Sequence, residues 1–278
     1  MTYHEAESLD HAHHLVTSRG ARVVAGGIEF ALDVARLRHA PLVGVSRLEE
    51  IRGVADDPRT GEIRIGAATT LGEMVDSNIL RRSLPILVEA ARQVGNRRIR
   101  NQATIGGNLC SRLRGTYDVA PALLAVDAVV EVHPGKRIPV GDFIDGTDPN
   151  GDGVVAWISV PAPLAGTVSG YEKIKPDAAA PGVASVGMTM AVESSGVIGA
   201  ARVVIAGVAA MPVRVRTAET ALVGSEIESI PGRYLGEIIR SAAGDLDMAG
   251  RYRLEVAVAA AERLASRLRS VHGTGPAS

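Results

Sequence analysis

The sequence predicts an α+β protein in two parts: a two-lobed N-terminal domain over residues 1–162 and a smaller C-terminal α/β domain with an antiparallel sheet over residues 165–278. Short runs rich in β-branched residues alternate with helical patterns through the first part. A proline-rich segment at residues 161–163 follows a strand pattern, as is typical of a domain boundary. Beyond it, two adjacent apolar runs indicate a separate sheet.

The first lobe covers residues 1–55 and has a βαβ-like pattern. A helix is predicted to begin at Ser8, a good N-cap, and to end before Gly20, a good C-cap. Short strands are predicted at residues 21–24 and 41–45.

The second lobe covers residues 56–162 and combines strand runs with helical patterns. Thr70 opens one helix, and Asp118 is placed to cap another. The predicted strands are residues 62–67, 128–132 and 154–160, and the predicted helices are residues 70–79, 84–94 and 120–124.

The C-terminal domain begins with two apolar runs that are predicted to pair as strands. Thr217 is a possible N-cap for the helix that follows them. The predicted elements are strands 185–192 and 201–208 and helices 218–223, 238–243 and 252–270, of which the last is the longest.

The composition is that of a soluble globular protein and argues against several classes of function. Hydrophobic residues make up 46% of the chain, and 30 basic against 31 acidic residues give a net charge of -1, so neither a nucleic-acid footprint nor a membrane surface is predicted. The single cysteine, Cys110, excludes an intrachain disulfide and is too few for an iron–sulfur cluster, which needs about four. No signal-peptide pattern opens the chain and no apolar run approaches about 18 residues, so a cytoplasmic location is expected.

Two glycine pairs, Gly26–Gly27 and Gly106–Gly107, are the most informative local features. A backbone that turns sharply at two glycines can leave several N–H groups pointing into one concavity, which binds anions without a side chain. Each pair alone is weak evidence, because most such pairs are ordinary turns. Two concavities close together suit a pyrophosphate, so the pairs predict a dinucleotide site.

Other candidate sites are weaker. His11, His13 and His14 share one predicted helix without an accompanying group of carboxylates or cysteines, so a solvated helix face is predicted and no metal site. Cys110 is interpreted as a small core residue.

In its motifs the chain resembles the FAD-binding medium subunit of the molybdenum hydroxylases, the family that contains carbon monoxide dehydrogenase and xanthine dehydrogenase. The specific part is Arg100-Asn101 followed by Thr-Ile-Gly-Gly-Asn at residues 104–108. Supporting segments occur in matching order at residues 3–10, 24–27, 65–70, 118–125, 171–173, 207–214 and 252–253.

The resemblance implies that the two lobes hold FAD between them, non-covalently, with the pyrophosphate at the two glycine pairs. It places Asp118 near the flavin or its ribityl chain. It makes Tyr171 and Lys173 the catalytic residues beside the isoalloxazine, where a cation stabilises the anionic reduced flavin. The implied cofactor-binding residues are Ala25, Gly26, Gly27, Ile28, Glu29, Phe30, Ala68, Thr69, Thr104, Gly106, Gly107, Asn108, Asp118 and Lys173.

Three segments depart from the family pattern. The first is Ile28-Glu29, which stands in place of a hydroxyl residue. The second is a more basic segment at residues 109–117, in which Arg112 or Arg114 is a possible substitute for lost phosphate contacts. The third is Lys175-Pro176-Asp177, in place of an arginine followed by an aspartate. These departures affect the predicted redox partner and substrate more than the fold.

The resemblance also implies a function: an FAD-dependent oxidoreductase that is a subunit of a larger dehydrogenase. It would pass electrons between the iron–sulfur clusters of a partner and an acceptor. The implied partners are an iron–sulfur small subunit and a molybdopterin large subunit. Two alternatives stay open, a stand-alone flavoenzyme acting on a small organic substrate and a non-catalytic member that keeps the fold.

Overall fold

The computed structural model describes residues 2–29, 40–111, 118–146, 153–177, 180–230, 232–243 and 248–273. The chain divides into two compact units. The N-terminal unit consists of Met1–Arg82, Val94–Leu113 and Asp127–Ala162, and the C-terminal unit consists of Ser83–Gln93, Arg114–Val126 and Pro163–Ser278. Two segments from the first half of the sequence therefore belong to the C-terminal unit.

The first half of the chain contains short strands and helices. In order they are β1 Tyr3–Glu5, α1 Leu9–Arg19, β2 Arg22–Val24, β3 Leu42–Gly44, β4 Val54–Asp56, β5 Ile63–Gly66, α2 Leu71–Asp76, α3 Asn78–Ser83, α4 Pro85–Arg92, α5 Arg97–Arg100, α6 Ile105–Cys110, α7 Ala120–Ala125, β6 Val129–His133 and β7 Lys136–Pro139.

The second half has longer elements. In order they are α8 Val140–Asp145, β8 Val154–Val160, β9 Thr167–Ile174, β10 Ala184–Val192, β11 Ile198–Ala206, β12 Val213–Arg214, α9 Arg216–Leu222, α10 Gly232–Ala242 and α11 Met248–Gly273.

The N-terminal unit contains a small parallel sheet and a larger antiparallel one. The parallel sheet has the order β1-β3-β2, and α1 provides the crossover from β1 to β2 while burying Ala12 and Leu15. The antiparallel sheet has the order β4-β5-β8-β6-β7. Its middle strand β8 is buried along most of its length, which explains the continuous apolar run that predicted it.

The C-terminal unit is built on one antiparallel sheet with the order β12-β11-β10-β9. Helix α11 packs on β9 and β10 and contributes Leu254, Val258 and Leu264 to the core. Helix α4 packs on β9, and α7 packs on β10. Because the chain has few aromatic residues, the main hydrophobic cluster of this unit consists of valine, isoleucine, leucine, alanine and methionine side chains.

The predicted fold class, α+β with a C-terminal antiparallel sheet, is confirmed, and so are both caps of α1. The Ser8 hydroxyl accepts a hydrogen bond from the His11 N–H, and Gly20 ends the helix with a left-handed backbone, φ 60°. The pairing of the strands predicted at 185–192 and 201–208 is also confirmed, as β10 and β11.

Three local predictions are wrong. The residue before α7 is Val119, which has helical backbone, and not Asp118. The residue before α9 is Val215, so Thr217 lies inside that helix. The helix predicted over 70–79 ends at Asp76, because Ser77 has extended backbone.

In the described part of the chain, no helix combines the length and the apolar character that crossing a membrane requires.

Candidate functional site

The second glycine pair lies in the first turn of a helix and not in a loop. Thr104 is the N-cap of α6, and its hydroxyl accepts the Gly107 N–H at 3.1 Å. The sharp turn expected at Gly106–Gly107 is therefore helical instead, because the Thr104 cap and the helical backbone that follows it satisfy the N–H groups of this segment.

Two further N–H groups of this turn are bound inside the N-terminal unit. The Ile105 N–H donates to the Thr69 carbonyl and the Gly106 N–H donates to the Ala67 carbonyl, each at 3.0 Å. Gly106 is buried, and a Cβ there would lie 2.8 Å from the Ala67 Cβ. Gly106 is therefore required for close packing of the helix. Gly107 is exposed, so its N–H and the half-buried Asn108 are the parts of the motif that a ligand can approach.

Ala68 and Thr69, which the resemblance implied to be cofactor-binding residues, form the support beneath α6. Ala68 is 2% exposed, and its N–H donates to the Ile51 carbonyl at 2.9 Å. Thr69 is fully buried, and its hydroxyl accepts the Gly53 N–H at 2.8 Å and donates to the Gly53 carbonyl at 3.0 Å. The Thr69 hydroxyl thus holds the backbone on which α6 rests.

The first glycine pair follows β2 and lies against the segment that leads into α6. A Cβ at Gly26 would lie 1.8 Å from the Gln102 carbonyl oxygen and 3.2 Å from the Ala103 Cα, so no other residue fits there. Gly27 has φ 72°, which also favours glycine. The structure therefore brings the first pair next to the residues that precede Thr104.

The loop at Gly26 and Gly27 has the character of an anion site. Neither N–H group donates to an acceptor within the described residues, and Ile28 and Glu29 continue with helical backbone. Successive N–H groups at such a turn suit a phosphate. Phe30, Arg112 and Arg114, which sequence analysis singled out, lie outside the described residues.

The C-terminal unit brings together two other predicted residues. Lys173 on β9 forms a salt bridge with Asp118, which precedes α7, and their side chains are only 7% and 8% exposed. A Cβ at Gly182 would lie 2.4 Å from the Lys173 Cε, so glycine there leaves room for the lysine stem. Burying two charges is costly unless they pair, and here they do.

Tyr171 lies in the core of the same unit and is 1% exposed. Its hydroxyl makes no hydrogen bond of ordinary geometry with the described residues. Burial raises the pKa of Tyr171, the Asp118 charge raises this pKa further, and the nearby Ser185 hydroxyl opposes the shift. Since its ring is enclosed by protein, the assignment of Tyr171 to the flavin face stays a prediction.

A cavity of about 500 Å³ in the C-terminal unit has Lys173 in its wall. Its other polar side chains are Ser185 and Arg253, and small residues at 206–210 form much of the remaining wall. Sequence analysis did not assign Ser185 or Arg253 to a site. Their role in the wall depends on strand pairing and on the start of α11, which no local motif indicates.

Comparison with known proteins gives consistent results. Residues 1–163 match the family model described as the FAD binding domain in molybdopterin dehydrogenase. The chain is 34% identical over 155 residues to the xanthine dehydrogenase FAD-binding subunit of Escherichia coli O157:H7, covering 52% of this chain and 51% of that protein. It therefore spans about half the length of that relative. It is 35% identical over 185 residues to the carbon monoxide dehydrogenase medium chain of Hydrogenophaga pseudoflava, covering 62% of this chain and 63% of that one.

The fold also matches solved structures. One is carbon monoxide dehydrogenase from Hydrogenophaga pseudoflava lacking the Mo-pyranopterin moiety of its molybdenum cofactor, with a TM-score of 0.85, 27% identity and 98% of each chain covered. Another is quinoline 2-oxidoreductase from Pseudomonas putida 86, with a TM-score of 0.85 and 20% identity over 98% of each chain, which supports the fold alone. Together with the glycine loop packed beside the capped start of α6, the match over residues 1–163 shows that this chain belongs to the family of FAD-binding domains of molybdopterin dehydrogenases.

Proposed function

We propose that the chain is the FAD-binding subunit of a dehydrogenase of the molybdenum hydroxylase type, and that it passes electrons between a partner's iron–sulfur clusters and an acceptor. The observation that carries this proposal is the packing of Gly26 on Gln102, directly before the Thr104-capped start of α6. This packing supports the proposal because it joins the first glycine loop to the residues that lead into α6, and a pyrophosphate requires backbone donors from neighbouring segments.

In this proposal the pyrophosphate is held mainly by backbone groups. The N–H groups of Gly26 and Gly27 and the N–H of Gly107 are the donors, and the Thr104 hydroxyl and Asn108 add polar contacts. Gly107 gives up its bond to the Thr104 hydroxyl when phosphate binds, and that hydroxyl then becomes available to the ligand. Ala25, Ile28, Glu29 and Phe30 belong to the same segment and complete the predicted contact set. Ala68, Thr69 and Gly106 act indirectly, by holding α6 in place.

We assign Lys173 and Asp118 to the flavin end of the cofactor. FAD supplies reversible two-electron chemistry when bound, and a lysine ammonium near its pyrimidine ring favours the reduced, anionic form. Asp118 holds that ammonium through their salt bridge. Tyr171 keeps its predicted catalytic assignment as a proposal, with its ring enclosed next to this pair.

The proposal requires partner subunits. The chain has one cysteine, so the iron–sulfur clusters of the proposed electron path would have to come from another chain, a small subunit. The molybdopterin would be held by a large subunit, as the family resemblance implies. A cytoplasmic location fits this assembly. A second candidate function is a stand-alone flavoenzyme, favoured by the cavity beside Lys173, which has the volume of a small-molecule site.

The test is to purify the full chain and measure flavin absorbance before and after incubation with FAD. Stoichiometric, non-covalent binding supports the proposal, and protein that never acquires flavin contradicts it. Co-purification with a small and a large subunit then supports the subunit role. Reduction of the bound flavin by a small organic molecule, without partners, supports the stand-alone enzyme.

A further inference from the structure

The outer edge of β9 is bonded at Tyr171 by two side chains in place of a neighbouring strand. Strand β9 is at the end of its sheet and pairs with β10 on one side. On the other side, the Tyr171 N–H donates to Glu89 Oε2 at 2.8 Å, and the Tyr171 carbonyl accepts from Arg267 Nη2 at 3.1 Å. Both backbone groups that an adjacent strand would use are therefore occupied.

The two side chains also bind each other. Arg267 Nη2 lies 2.7 Å from Glu89 Oε2, and Arg267 Nη1 lies 3.1 Å from Glu89 Oε1, which is the two-pronged geometry of a strong guanidinium–carboxylate pair. Glu89 belongs to α4 and Arg267 belongs to α11, so the pair ties two helices to one strand residue within the C-terminal unit. We call these two side chains the edge clamp.

The residue before Tyr171 is adapted to the clamp. A Cβ at Gly170 would lie 2.8 Å from Arg267 Nη2 and 2.8 Å from Leu264 Cδ1. A side chain at this position would displace the guanidinium from the strand. Glycine here therefore serves the approach of Arg267 and not backbone conformation.

The clamp fixes the strand beside the proposed flavin residue. Tyr171 and Lys173 are two residues apart on β9, so their side chains project to the same face of the sheet. On the inner edge, Tyr171 lies opposite Gly187 and Lys173 lies opposite Ser185 on β10. With one edge set by β10 and the other by the clamp, the position of the Lys173 ammonium against Asp118 is defined from both sides.

We propose that Glu89 and Arg267 are positioning residues for Lys173, and that they tune the flavin through it without touching the cofactor. This inference rests on the proposed function, in which Lys173 stabilises reduced flavin. Removal of either clamp residue frees the outer edge of β9, and the Lys173 ammonium then loses its fixed position. The clamp variants should therefore reproduce part of the effect of losing Lys173 itself.

The experiment is a spectroelectrochemical titration of the full chain loaded with FAD. We expect Glu89→Ala and Arg267→Ala to shift the flavin potential to more negative values, by at least half of the shift caused by Lys173→Met. In the Lys173→Met background, Glu89→Ala should add no further shift, because the residue through which it acts is gone. Glu89→Gln keeps an acceptor for the Tyr171 N–H and should recover most of the wild-type potential.

A matched control is available in the same unit. Arg240 and Glu255 form another guanidinium–carboxylate pair, 2.9 Å apart, between α10 and α11. Arg240→Ala removes a comparable pair away from β9 and should leave the potential unchanged. A second readout needs no cofactor: in FAD-free protein, acetylation of Lys173 should be about threefold faster in Glu89→Ala than in wild type, through local opening of the strand, and unchanged in Arg240→Ala.

The outcomes separate the two proposals. Protein that binds no FAD overturns the proposed function, and the acetylation rates still test the clamp. A flavin potential that shifts in Lys173→Met but not in Glu89→Ala or Arg267→Ala overturns the positioning role of the edge clamp. The same conclusion follows if the shift caused by Glu89→Ala adds fully to the shift caused by Lys173→Met. If Glu89→Ala fails to fold, Arg267→Ala carries the same comparison, and a wild-type potential in Arg267→Ala with an unchanged rate of Lys173 acetylation overturns the inference.

Discussion

The candidate regions of the two units are built from different materials. In the N-terminal unit, backbone groups and small residues form the region, and Gly26 and Gly106 are required because main chain or a methyl group lies where a Cβ would be. In the C-terminal unit, a buried pair of charged side chains, Lys173 and Asp118, is the central feature. Stability and binding at a site made of backbone groups should therefore be sensitive to added side-chain atoms. Stability at a site made of a buried charged pair should be sensitive to the loss of one partner.

The largest expected effect is in the charged pair. Lys173→Met removes one charge of a pair whose two side chains are both buried, and should lower the free energy of unfolding by about 3–5 kcal/mol. Chemical denaturation monitored by circular dichroism would measure this. The double variant Lys173→Met with Asp118→Asn removes both charges and should recover much of the loss, and Lys136→Met, at an exposed position, is the control. A loss below about 1 kcal/mol for the single variant would mean that the pair is effectively solvated.

The next effect tests the backbone region by adding one methyl group. Gly26→Ala places a Cβ 1.8 Å from the Gln102 carbonyl oxygen, so the main chain must move, at an expected cost of about 3 kcal/mol in stability. Thermal unfolding would measure it. Gly107→Ala is the matched variant, because its Cβ would lie 3.0 Å from the Thr104 Oγ1 and meet nothing else within 4 Å. Equal stability changes at both positions would contradict the packing argument.

A third prediction separates stability from ligand binding. Gly107→Val should leave a folded protein, since the added Cβ meets only the Thr104 hydroxyl within 4 Å, but it should weaken FAD binding about a hundredfold because the side chain blocks the approach to the backbone. Fluorescence titration of flavin into apo-protein gives the affinity. Unchanged affinity would remove Gly107 from the phosphate site and leave the Gly26 loop as the backbone donor.

The smallest effect concerns Tyr171. Its buried hydroxyl has no bonded partner within the described residues, so Tyr171→Phe should change stability by less than about 1 kcal/mol, in contrast to the loss typical of a bonded buried hydroxyl. Denaturation in parallel with wild type measures this, with Ser185→Ala beside it. A loss well above that value would show that the hydroxyl has a partner, with Ser185 the nearest candidate.

Features that depend on neighbouring residues could be predicted from the sequence. The caps of α1 follow from Ser8 and Gly20, and the family follows from a short motif, residues 104–108. Features that depend on residues far away in the sequence could not be predicted. The need for glycine at position 26 comes from Gln102, and the Ile105 and Gly106 N–H groups are bonded to the carbonyls of Thr69 and Ala67.

Asp118 is another residue whose partner is distant in the sequence. A local rule made it a helix cap, but a lysine on a strand far along the chain holds its carboxylate instead. Glu89 belongs to no recognisable sequence motif. Its hydrogen bond with the Tyr171 N–H can be found only from the tertiary structure, in which α4 packs on β9. Side-chain partners that are far apart in sequence are outside the reach of spacing and propensity.

The order in which the chain is synthesised gives the interleaved units a biological consequence. Helices α4 and α7 emerge from the ribosome early, with Ile86, Leu87, Leu123 and Leu124 among their buried residues, whereas the sheet that covers them is translated after residue 163. The nascent chain therefore exposes these two apolar helices until β9 and β10, which end at Val192, have been translated. A fragment that stops at residue 163 would keep the family's matched region yet expose both helices, so it would need a chaperone or would aggregate.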